Sequence, residues 1–73
     1  MSVAKTIKEL RKTVGYNREE VAGLLNISVA TLRKYEDWKS LVRLDILIGM
    51  LQIYGSDINK FLNQINYNLL VYA

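Results

Sequence analysis

One stretch restricts the fold more than any other: Asn17 to Glu36, NREEVAGLLNISVATLRKYE. It spells two short amphipathic helices and a tight turn. Asn17 followed by Glu20 fits a capping box, and Tyr16 with Val21 is placed as a hydrophobic staple. This predicts a helix from about Arg18 to Leu25. Ser28 is a second N-cap, so the next helix is expected from about Val29 to Trp38. Asn26 stands where the chain must turn sharply. After Gly, Asn tolerates the left-handed conformation best. Val21, Leu25, Ile27, Leu32 and Tyr35 are the apolar positions of the unit. Ala22 is the small residue where two steeply crossing helices need room.

A chain of 73 residues supports one domain, near the lower size limit for folding without staples. The apolar fraction of 51% helps to build a core at that size. There is no Cys and no His, which removes disulfides, thiolate metal sites and the commonest general base. The Ser residues have no base pattern near them, and no Gly-rich phosphate loop is present. Glu19 and Glu20 are better explained as charge at a helix N-terminus than as acid–base chemistry. The expectation is therefore no enzyme, no catalytic residue, no metal, no cofactor and no small-molecule substrate. No signal-peptide core or spanning apolar run occurs, so no membrane partner is expected and a cytoplasmic location is.

Net charge is +3, and its distribution says more than its size. Through Arg43 there are nine Lys or Arg against five Asp or Glu; beyond it, one against two. The positive charge lies with the two-helix unit, which suits nucleic acid. Ordinary solvated helix faces would carry charge as well.

Two helices joined this way are the plan by which a helix-turn-helix sets its second helix in the major groove. The segments IKELRKTVGYNREEVAGLLNIS, ATLRKYE and KSLVRLDILIGMLQIYG resemble the Cro/C1-type (XRE-like) helix-turn-helix domain of phage repressors and bacterial regulators. The resemblance covers Ile7 to about Leu62 without a gap. It implies an all-α, five-helix bundle. The short length is also similar to Cro-side or modulator-of-repression regulators of temperate phages. By the resemblance, Arg11 pairs with Glu36 and ties the first helix to the third, where the alternative is an exposed Arg11. Ser28, Val29, Ala30, Arg33 and Lys34 face outward on the third helix. Val29, Ala30, Arg33 and Lys34 match positions that meet base edges or nearby phosphates. Arg33 can fork onto guanine O6 and N7, whereas Val29 and Ala30 can meet only a thymine methyl. Arg18 opens the second helix where a phosphate would sit, or stands exposed beside Glu19. Lys39, Ser40 and Arg43 fall where the family meets phosphates or a minor groove; loop solvation is the plainer reading of Lys39.

The remaining elements follow from periodicity. A first helix is expected over Val3–Val14, capped by Ser2, with Val3, Ile7, Leu10 and Val14 on its inner face and Gly15 ending it. A fourth is expected from about Arg43 to Tyr54, ending at Gly55. Its expected core face is Leu44, Leu47, Ile48, Leu51 and Tyr54. Ile46, Gly49, Met50 and Ile53 make a second stripe, and Gly49 points to a close approach by the tail or another protein. A fifth is expected after Asp57, with Ile58, Phe61, Leu62 and Ile65 inward. The division expected is a helix-turn-helix domain over 1–65 and an apolar tail over 66–73. The tail reads as an extended segment pairing with a partner or second copy, or as a strand or helix folded over the fourth helix.

Two functions fit. One is a transcriptional regulator of a phage-type switch that binds a double-stranded DNA operator through the third helix, as a dimer. The other is an antirepressor that binds a phage repressor protein and alters its DNA binding. Val29, Trp38, Ile46, Met50, Ile53, Tyr67, Leu69 and Val71 are the candidate partner surface. Trp38 suits either the edge of the core or an exposed anchor.

Overall fold

Helix ends place everything else in a chain this short. The computed structural model describes residues 3–37 and 41–64. Five α-helices and no strand occur among the described residues. They are α1 (Val3–Val14), α2 (Arg18–Leu25), α3 (Val29–Glu36), α4 (Leu44–Ile53) and α5 (Ile58–Gln64). Three ends are built alike. Gly15, Asn26 and Gly55 take left-handed backbone, with φ of +89°, +56° and +70°. In each case the following N–H reaches back over the helix end. Tyr16 donates to the Arg11 carbonyl at 3.2 Å, Ile27 to Ala22 at 3.0 Å and Ser56 to Leu51 at 2.9 Å. This closure satisfies carbonyls that a helix end otherwise leaves open.

The starts of α2, α3 and α5 are fixed by side chains. Glu20 N–H donates to Asn17 Oδ1 at 2.8 Å, and Asn17 N–H donates to Glu20 Oε1 at 2.9 Å, a complete capping box. Thr31 N–H donates to Ser28 Oγ at 3.0 Å, and Lys60 N–H to Asp57 Oδ1 at 2.8 Å. A cap of this type contributes about 1 kcal/mol. The core then gathers Ile7 from α1, Val21 and Ala22 from α2, Leu32 and Tyr35 from α3, Met50, Leu51 and Tyr54 from α4 and its end, and Phe61 from α5. α3 packs on α1 and α2, and α4 packs on α2 and α5.

α4 is rotated from the sequence expectation. Met50 is fully buried, and Ile46, Leu47 and Ile53 pack partly buried against the core. Leu44 is 66% exposed and Ile48 43%. Gly49 gives the reason. A Cβ there would stand 2.8 Å from Leu25 Cδ2 of α2. α2 lies against the bare side of α4, so the arc centred on Met50 turns inward. The close approach signalled by Gly49 is thus with α2 of the same chain. Met50 is a core residue and not a partner contact, and Ile46 and Ile53 are not a free stripe. Val14 and Ile58 are exposed as well, each at the outer end of its helix. Ser2, Trp38, Lys39, Ser40, Ile65, Tyr67, Leu69, Val71 and the rest of the tail lie outside the described residues.

Candidate nucleic-acid interface

α3 has two faces of opposite character. Inward, Leu32, Tyr35 and Glu36 are buried. Outward, Ala30, Arg33 and Lys34 are exposed, and so is Ser28 at the cap. Val29 does not join that outer face. It packs partly buried against the core, because it continues the inward row of Leu32 and Glu36 at helical spacing. Ser28 is occupied locally: besides capping, its hydroxyl donates to Thr31 Oγ1 at 2.8 Å. Arg33 and Lys34 lie in the last turn, where positive charge suits the helix dipole. Neither has an ion-pair partner among the described residues.

The buried end of α3 is held by charge. Glu36 has a side-chain exposure of 0%. Its Oε2 accepts from Arg11 Nε at 2.8 Å, and its Oε1 accepts from Arg11 NH2 at 3.1 Å. Arg11 NH1 donates to the Tyr16 carbonyl at 3.0 Å, so the guanidinium is bound on three sides. The hydrogen bond to Glu36 raises the Arg11 pKa above its usual value, with burial opposing. Glu36 Oε1 also accepts from Arg18 Nε at 2.9 Å. Arg18 is therefore joined to the carboxylate that ends α3, and its side chain is 24% exposed. Nothing local in the sequence signals this link. The two residues are 18 apart, and Glu19 is the nearer acid.

Tyr54 lies in the core with its hydroxyl buried and without a hydrogen-bond partner among the described residues. Burial, and then the charge of Glu36, push its pKa well above the ordinary 10.0. Arg43 stands at the N-cap position of α4 without a side-chain cap bond. Its NH2 donates to Asp45 Oδ2 at 3.0 Å, with both side chains largely exposed. A pair so open to water is weak. Lys39 and Ser40, which the sequence places beside Arg43, lie outside the described residues.

The comparisons match the same helices. The profile of the Helix-turn-helix family matches residues 7–61. The chain belongs to that family. It is 34% identical over 56 residues to a protein of Pyrococcus horikoshii, provisionally named an HTH-type transcriptional regulatory protein; the match covers 77% of this chain and 18% of that one. A protein of Pyrococcus abyssi with the same provisional name is 30% identical over 59 residues, covering 81% of this chain and 19% of that one. The chain spans less than a fifth of the length of these curated relatives. No solved structure matches. Among the described residues no helix is long and apolar enough to cross a membrane.

Proposed function

We propose that this protein binds operator DNA by laying the outward face of α3 in the major groove. Arg33 and Lys34 read base edges or adjacent phosphates, Ala30 allows close approach to a thymine methyl, and Arg43 holds the backbone. Lys39 and Ser40 join Arg43 in that role on the strength of the sequence. The observation that carries the reading is the division of α3 itself. Leu32, Tyr35 and Glu36 anchor the helix from inside, leaving Arg33 and Lys34 exposed and without ionic partners among the described residues. A phage-type switch rests on the sequence resemblance; both named relatives are from Pyrococcus.

The alternative, a module that binds a repressor protein, drew on an exposed apolar surface. Among its candidates Met50 is core, and Val29, Ile46 and Ile53 pack against the core. What remains outward on α4 is Leu44 and Ile48. The observations therefore favour DNA. The test is selection from randomised duplexes, followed by titration of the selected site across salt. Binding should prefer the selected site, with log K falling about 0.9 per phosphate contact for each unit of log salt. Absence of any site preference, or salt-independent binding, contradicts the proposal. Co-elution with a repressor protein encoded beside it would instead favour the alternative.

A further inference from the structure

We infer that Arg18 is a positioning residue for DNA reading: through Glu36 it fixes the angle between α2 and α3, and it does not serve as a phosphate contact. This rests on the operator-binding reading above. The two helices are joined covalently at one end only, through Asn26 and Ile27. Arg18 is the first residue of α2 and Glu36 is the last of α3. They are the two residues farthest from the turn, and the 2.9 Å bond between them closes the open end of the pair.

Arg11 reaches this end of α2 only through the Tyr16 carbonyl, which lies before the helix and its N-cap. It comes from α1, and it already meets both oxygens of Glu36 at 2.8 and 3.1 Å. It ties α3 to α1 and neutralises the carboxylate. Arg18 is thus superfluous for charge balance at Glu36, and its bond is the ionic link between α2 and α3 among the described residues. The lever is long enough to matter. An eight-residue helix is about 12 Å long, so a 10° opening at the turn moves the far end by about 2 Å. Arg33 sits one turn from that end, and a forked contact to a base tolerates only a fraction of such a shift.

Positioning and phosphate contact differ in what they do to salt dependence. The full chain is prepared as wild type, Arg18→Gln and Arg18→Lys. Affinity is measured for a selected operator and for a random duplex over a salt series, with thermal unfolding as a control for folding. In Arg18→Gln, operator affinity should fall by about tenfold. Random-duplex affinity should stay within about twofold, and the salt slope should be unchanged. Arg18→Lys keeps the charge but loses the Nε–H that reaches Glu36 Oε1. It should also lower operator preference severalfold, and it tests the idea even if the Gln variant folds poorly. A slope reduced by about 0.9, with both affinities falling together and Lys restoring them, makes Arg18 a phosphate contact and overturns the inference. So does wild-type behaviour in both variants. If the wild type itself shows no operator preference, it is the functional reading that fails.

Discussion

The inner and outer faces of α3 share eight residues and almost nothing else. Leu32, Tyr35 and Glu36 are buried and define where the helix sits. Ala30, Arg33 and Lys34 are exposed and contribute little to holding it there. On the proposed function, stability and recognition are carried by alternating side chains of one short helix. Substitutions on the inner face should disturb folding and binding together. On the outer face they should disturb binding alone.

The largest effect is expected at Glu36. Glu36→Ala leaves two arginines beside one another with no buried counter-ion, which should cost about 3–5 kcal/mol in urea unfolding. A loss below about 1 kcal/mol would place the clamp outside the stabilising face. Leu32→Ala follows. Its side chain is fully buried, and removing it should cost about 2–4 kcal/mol, lowering operator affinity only in step with the folded fraction. An affinity loss beyond that fraction would blur the division between the faces.

Tyr54 offers a smaller test from beneath the same clamp. Its buried hydroxyl lacks a partner among the described residues, so Tyr54→Phe should be neutral or stabilising by about 1 kcal/mol. The pH dependence follows in sign. The folded pKa is raised, so the neutral phenol's contribution is intact below the ordinary value of 10.0 and is lost as pH rises beyond it. Between pH 9 and 11 the wild type should lose more thermal stability than Tyr54→Phe. Equal losses would show that this hydroxyl does not drive the alkaline decline.

The two helical glycines carry the contrast outward. Gly23 of α2 faces open space, so Gly23→Ala should stabilise by about 0.5–1 kcal/mol. Gly49→Ala should gain less, because its Cβ would press on Leu25 Cδ2 at 2.8 Å. Equal gains would mean that Leu25 moves aside freely.

Local signals made most of the fold legible. The capping residues Asn17, Ser28 and Asp57 and the left-handed positions Gly15, Asn26 and Gly55 act on their immediate neighbours, so they marked the helix limits. The facing of α4 was legible only in part: Leu47, Leu51 and Tyr54 do turn inward but Leu44 and Ile48 do not, because ten residues with apolar side chains on nearly every side fit more than one rotation. Contact with α2 decides it, and Gly49 signalled only that some neighbour comes close. The same limit hid Arg18. Its partner is set by how α2 crosses α3, which no spacing encodes. Glu36 and Arg11 were named together by the family resemblance, not by periodicity.

The smallest effect on stability should accompany the clearest effect on function. Arg33→Ala removes an exposed side chain, so unfolding should shift by no more than about 0.5 kcal/mol. The deciding quantity is the ratio of operator to random-duplex affinity at one fixed salt concentration. In Arg33→Ala that ratio should fall roughly tenfold or more, with the folded state intact. A ratio equal to that of the wild type would contradict the assignment of the outer face of α3 as the reader.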